Sequence, residues 1–337
     1  MTVTGERRLS FWKLAAMLVT AVAVNASDYS FLVPLQQVRI ETHRVIIAGH
    51  QAAPRQHHIL VPYLLDPPIR MLATMMPPDK ALTRVYAGYY LAALALLLTT
   101  LFCYLRVWFS AEQALVGALI VGSTIRIVLR PGEYWDLSSI PESSVFAPAS
   151  LLEPTMIALG LLLMRAGRAW LLAALVAIAA ANSEAAALLP VLYVATRPVT
   201  RDRIATALGY VALWVVVTVA VRLATGGAAF PPAIGLALSE NLRHLPSLAI
   251  NLALFLGPVW LLIPIGWRRT PGFARRAMIA IPIYLIALAA WGYWWEVRNL
   301  APLYPILLPP ALAALFPPRE VAELPFRATQ SVTAAQT

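Results

Sequence analysis

Apolar residues run through this chain in long blocks separated by short polar stretches. The blocks carry neither the strict alternation of a half-buried strand nor the single stripe of a helix lying on a soluble core. Blocks apolar on all sides predict helices surrounded by lipid or by other helices. Ten are found, at residues 11–27, 84–106, 113–130, 150–164, 169–181, 185–196, 205–223, 248–266, 277–291 and 300–315. An upright helix needs about 20 residues to cross a bilayer. Several blocks are shorter than this, so the pattern predicts an all-α polytopic integral membrane protein with some short, kinked or half-spanning helices. Without an internal repeat or heptad, residues 1–317 read as one transmembrane domain, followed by a loose cytoplasmic tail at 318–337.

Composition supports this reading. Of 337 residues, 60% are hydrophobic and 12% charged, too little polarity to cover a soluble domain of this length. The net charge of +10 does not point to nucleic acid, because the basic residues come one to four at a time between apolar runs and form no face. The single cysteine, Cys103, excludes an internal disulfide. Arg7, Arg8 and Lys13 ahead of a run ending in VAVNAS have the layout of a signal peptide, but the many following blocks favour an uncleaved first helix. Asn25-Ala26-Ser27 matches a glycosylation sequon at the membrane edge.

With the N-terminus placed in the cytoplasm, the inner segments hold fifteen of the 26 Lys and Arg but only five of the 16 acids, and the outer segments hold eleven of each. This is the asymmetry of the positive-inside rule, and it puts both termini in the cytoplasm. All five histidines then lie outside with most of the carboxylates, so the chemically capable face is extracytoplasmic.

The largest polar segment, residues 28–84, begins with Asp28 and contains two stretches, 31–47 and 59–76, that predict short helices along the membrane surface. Asp28 is read equally as a solvated helix-end residue and as a carboxylate whose proton affinity rises by partial desolvation, able to act as a base or to hold a metal. His50, His57 and His58 lack zinc spacing, and a histidine-rich interfacial loop suits headgroup contact more than a ligand set. The second outer segment, residues 130–148, holds Asp136 beside Trp135, an interfacial anchor or a second functional acid. Glu184, in ANSEAAALLP, lies between two blocks of about a dozen residues, which predicts a helix pair turning at the outer mouth; capping of the second helix by Asn182 or Ser183 explains the polar residues as well. In WWEVRNLAPLYP, residues 294–305, Glu296 and Arg298 are two apart and face different partners on a helix. A last helix starting near Asn299 aims its positive end at the outer leaflet, where Arg298 can grip a phosphate with two hydrogen bonds.

These residues carry a resemblance. The acid at the start of a long first outer loop, the surface helices, the basic stretch HQAAPRQHHILVPYLLDPPIR and above all the acid-x-arginine segment EVRNLAPLYPILLPP resemble the GT-C superfamily of membrane glycosyltransferases, in its small bacterial form. The resemblance implies a GT-C-like bundle in the bacterial plasma membrane. It also implies inverting transfer of a sugar from a polyprenyl-phosphate donor to a lipid, glycan or protein acceptor. Asp28 would be base or metal ligand, Asp136 would assist, and Arg298, Glu296, Glu184, Arg55, His57 and His58 would bind substrate. A divalent metal, Mg or Mn, would sit at Asp28 and Asp136. Departures are the missing acidic pair in the first loop, the missing soluble C-terminal domain and the short chain. A transporter or lipid flippase and a non-catalytic assembly subunit are the alternatives.

Overall fold

Prolines punctuate the apolar runs and set where several helices start, stop or bend. The computed structural model describes residues 11–32, 36–49, 59–129, 148–225, 236–243, 255, 257, 259–292 and 297–319, and every regular element among them is helical. Helix α1 (Phe11–Leu32) is followed by the two short helices of the first polar segment, α2 (Gln36–Ile47) and α3 (Leu60–Ala73), and then by α4 (Pro78–Leu105) and α5 (Ala111–Leu129). Next come α6 (Leu152–Ala166), α7 (Ala169–Asn182), α8 (Leu188–Ala195), α9 (Arg201–Ala224) and the short α10 (Leu236–Arg243). The chain closes with α11 (Val259–Gly266), α12 (Gly272–Ala277), α13 (Ala280–Trp291) and α14 (Tyr304–Leu315).

Each of the ten apolar blocks therefore holds a helix. Among the described residues, three helical stretches, Pro78–Leu105, Arg201–Ala224 and Gly272–Ala290, are long and apolar enough to cross a membrane. Large apolar side chains face outward along them, among them Leu208, Val215, Val216, Val219 and Leu223 on α9 and Ile283 and Ile286 on α13. Surfaces of this kind are stable against lipid and aggregate in water, and the fold is that of a helical membrane protein.

The first helix runs further than its apolar block. Asp28 does not follow the helix but lies in its last turns, because the first proline able to halt it is Pro34, which disfavours helical geometry at the residue before it.

The core is built around the last helix. From Leu300 to Ala313 every residue is buried. The Tyr304 hydroxyl donates to the Phe255 carbonyl at 2.9 Å and lies equally close to Thr124 Oγ1 on α5. Pro309 and Pro310 remove two backbone donors from α14, and such a helix is tolerated in a membrane when protein rather than lipid surrounds it. Helix α11 makes the closest approach: a Cβ on Gly266 would fall on the Pro310 carbonyl oxygen and against the Ala314 amide. Only glycine fits there, by proximity and not by backbone conformation.

One end of the bundle is stitched together by arginines. Arg197, in the turn between α8 and α9, donates to the Met164 carbonyl at the end of α6, and Arg276 on α12 donates to the Thr196 carbonyl at 3.3 Å. Arg165 lies over the Trp108 and Phe273 rings at 5.9 Å, and the Arg319 amide donates to the Trp108 carbonyl at 2.7 Å. Lys13 pairs with Glu112 at 2.7 Å and holds that carboxyl down at about 2. Among the described residues, Lys13, Arg165, Arg197, Arg276 and Arg319 thus share one end, called the basic end below.

Gly266→Ala is expected to lower stability by about 1–3 kcal/mol, because the clash is with backbone. Gly209→Ala, on an open face of α9 with nothing within 4 Å, is expected to lose nothing. Thermal unfolding of both in the same detergent checks this, and equal midpoints would remove the close crossing of α11 and α14.

Candidate functional site

The end opposite the arginines gathers the remaining polar side chains around the first turn of α6. A 3-10 turn, Pro148–Leu151, leads into that helix and touches α3, α4 and the 3-10 segment Val297–Leu303, while α6 itself touches the 3-10 turn Glu184–Ala187. Three polar groups meet this hub.

The first group lies under the surface helices. Ile40, His43 and Ile46 fall three apart on α2 and are buried, while Glu41 and Arg44 face outward. They join Val61, Leu65 and Ile69 of α3 and Leu82 and Tyr86 of α4 in a small core separate from the main one. His43 is the polar member of this seam. Its Nδ1 is 3.0 Å from the Tyr86 hydroxyl and its Nε2 is 3.6 Å from Asp66, whose other oxygen accepts from Arg70 at 2.7 Å. Burial lowers the affinity of His43 for a second proton below the ordinary histidine value, with Asp66 opposing and Arg44 and Arg70 assisting. A neutral ring with its proton on Nε2 leaves Nδ1 to accept from Tyr86. Tyr86 is wholly buried, so this Asp66–His43–Tyr86 relay clamps the surface helices to α4 and does not itself meet a substrate.

The second group is acidic and aromatic. Glu153 sits in the first turn of α6, where a carboxylate is stabilised by free amide groups, and Pro154 beside it is well placed in a first turn. The Glu153 carboxylate is electrostatically coupled to Tyr89 on α4 and Tyr284 on α13. The Tyr284 hydroxyl donates to the Asn299 carbonyl at 2.5 Å, which seats the Arg298 segment on the same side of α6.

Arg298 does not precede an α-helix capped by Asn299, as the sequence suggests. Val297–Leu303 is a 3-10 helix and α14 begins at Tyr304. The rings of Pro302 and Pro305 crowd the carbonyls four residues back, those of Arg298 and Ala301, which works against α geometry here, and the chain takes the tighter path. The positive end of α14 is buried at Tyr304, and any phosphate near Arg298 meets the start of a 3-10 turn instead. The change also adds reach. Seven residues at about 2.0 Å and twelve at about 1.5 Å rise together by roughly 32 Å, enough to cross a bilayer core.

The third group joins α7 and α9. Ser183 caps the turn Glu184–Ala187, its hydroxyl accepting from the Ala185 amide at 3.1 Å. Glu184 lies 3.6 Å from Arg222 on the last turn of α9, an ion pair that joins two helices. Along α9, Tyr210, Trp214, Thr218 and Arg222 form a stripe four residues apart on the face opposite the exposed Val215, Val216 and Val219. Tyr210 donates to the Ala169 carbonyl at 3.1 Å. Trp214 Nε1 and Thr218 Oγ1 are buried without a hydrogen-bond partner among the described residues.

Of the residues singled out by sequence, Glu184 and Arg298 are brought to this end of the bundle against α6. Asp28 is placed by its backbone at the matching end of α1, which packs on α4 and α5, but its side chain is outside the described residues. Arg55, His57, His58, Asp136 and Glu296 lie outside the described residues altogether. Among the described residues no three His, Cys, Asp or Glu side chains converge as a metal site. His43, Asp66, Glu153 and Arg222 were not singled out as site residues. A charge inside an apolar run was their signal, clearest for Asp66 in LLDPP and Arg222 in VAVRLA. Comparison with family models, curated proteins and solved structures finds no match for this chain.

Because the folded state keeps His43 neutral, its contribution is present above the unfolded value near 6.5 and is lost as pH falls through the lower folded value. Thermal midpoints in detergent are therefore expected to drop between about pH 7 and 5, and to drop less in His43→Phe, which keeps ring volume without titrating. Parallel pH profiles for the two proteins would refute the clamp.

Proposed function

We propose that this chain is a membrane glycosyltransferase of GT-C type, acting on a polyprenyl-phosphate sugar at the extracytoplasmic face of a bacterial plasma membrane. Supporting the reading is one observation: the Arg298 segment is seated on the first turn of α6, at the bundle end that also holds the Asp28 end of α1, Glu153 and the Glu184–Arg222 pair. In this reading ten helices cross or half-cross the bilayer, the basic end faces the cytoplasm and the polar end is the working face.

Transfer with inversion needs three things at that face. A base, Asp28, takes the proton of the acceptor hydroxyl as its oxygen bonds to the anomeric carbon. The bond from that carbon to the phosphate oxygen breaks, and the electron pair leaves with the polyprenyl phosphate. Arg298 meets the growing negative charge on that phosphate, its planar fork matching two oxygens. Glu296 orients Arg298 or touches the sugar, Asp136 assists Asp28 at the acceptor, and Glu184, Arg55, His57 and His58 contact substrate. If a divalent metal takes part, Asp28 and Asp136 are its ligands.

The test is turnover. Protein reconstituted in liposomes is given a panel of polyprenyl-phosphate sugars and an acceptor mixture, and sugar release is followed. Asp28→Asn is expected to lower the rate by about 10²–10⁴, the usual worth of a positioned base, and Arg298→Ala to lower it by about 10²–10³. Undiminished turnover in both variants rejects the site. Solute uptake without turnover of any donor rejects the activity and favours transport. A reporter enzyme active only outside the cytoplasm, fused after Arg319, is expected to stay inactive, and activity there would invert the orientation.

A further inference from the structure

A different surface, at the basic end, carries its own signature. The hairpin from α11 to α12 carries Arg268, Arg269, Arg275 and Arg276 within nine residues, with no acid anywhere from 259 to 279. Arg276 is turned inward and donates to the Thr196 carbonyl. Arg268, Arg269 and Arg275 are exposed and have no hydrogen bond or ion pair among the described residues.

Arg268 also lines a groove of about 600 Å³ with Ile263, Pro264, Ile265, Trp267 and Met278. Apart from that one guanidinium the walls are apolar or aromatic. Ile265 is 66% exposed and the neighbouring Ile279 57%, so the groove opens toward the bilayer and not into the protein. Met278 follows Arg275 by one helical turn, its amide bonded to the Arg275 carbonyl, so the exposed Arg275 leaves the same helical surface as the groove's Met278 wall. Trp267 adds an indole, the ring that settles at the level of lipid headgroups.

An apolar trough with the unneutralised Arg268 guanidinium on its wall and Arg275 one turn from Met278 matches one class of ligand. It takes hydrocarbon below and a phosphate above, and arginine meets a phosphate with paired hydrogen bonds. We propose that this groove binds an anionic phospholipid, with an acyl chain along Ile263, Pro264, Ile265 and Met278 and the headgroup phosphate held by Arg268 and Arg275. The bound lipid bridges α11 to the α12–α13 stretch and steadies the crossing of α11 over α14. The site is independent of any reaction at the opposite end.

Wild-type protein in nanodiscs of phosphatidylcholine is titrated with phosphatidylglycerol, and the rise in thermal midpoint gives an apparent affinity. Two variants remove the same charge: Arg268→Gln/Arg275→Gln at the groove, and Arg168→Gln/Arg201→Gln on other turns of the same end. The groove pair is expected to lower the apparent affinity roughly twenty-five-fold, at about fivefold for each cation, while the second pair leaves it within about twofold. Equal losses in both pairs reduce the effect to general surface charge, and no loss in the groove pair, or no preference of the wild type for the anionic lipid, overturns the site. Native mass spectrometry of the wild-type protein gives a reading that needs no variant. A retained phosphatidylglycerol is expected to be displaced by the short-chain form of the same lipid and not by inorganic phosphate. Absence of a retained lipid, or displacement by phosphate alone, also overturns it.

Discussion

Hydrocarbon cannot hydrogen-bond, and that single fact organises this molecule around its last helix. The stretch from Val297 to Leu315 carries four prolines, Pro302, Pro305, Pro309 and Pro310, each of which leaves a carbonyl without its usual partner. Facing lipid, these carbonyls would be costly to bury. Surrounded by α5, α6 and α11, the segment meets protein on every side, with Tyr304 anchored to the Phe255 carbonyl. The remaining helices then face outward with plain Val, Leu and Ile and need no polar contacts there. Gly266 is the geometric consequence, since a helix that must lie against Pro310 has no room for a side chain at the crossing.

The two ends of the bundle use charge differently. At the basic end, arginines such as Arg197 and Arg276 finish helices by donating to the last carbonyls of their neighbours, and Arg165 rests on aromatic rings. Much of that charge is structural. At the other end charges come as opposed pairs or chains, Arg70–Asp66–His43, whose buried histidine meets Tyr86, and Glu184–Arg222. Partly buried, paired charge in a membrane is expensive to place, which is why this end is where chemistry is proposed.

How legible each part was depends on how local its cause is. The helices were readable because an apolar block of a dozen residues has few other stable states in lipid. The role of Ser183 was readable too, since a cap acts on an amide two residues away. The partner of Glu184 was not, because Arg222 is 38 positions along the chain and is delivered only by α9 lying beside α7. The same holds for His43 and Tyr86, 43 positions apart, whose bond exists because two surface helices fold back over the start of α4. The last α-helix starts a few residues later than its sequence suggests: Asn299 is a reasonable cap by type, but with Pro302 and Pro305 close behind it the chain takes a 3-10 turn first.

Period, proline positions and the spacing of arginines along the chain were enough to decide that it is a membrane bundle, where its helices lie and which residues share an end. Each of those follows from interactions within a turn or two, or from a sorting rule that acts on whole loops. Which charges meet, which helix is central and which groove opens to lipid depended on distances between elements far apart in sequence. Those distances are set by how the prolines of α14 are shielded, and a linear pattern holds no measure of that.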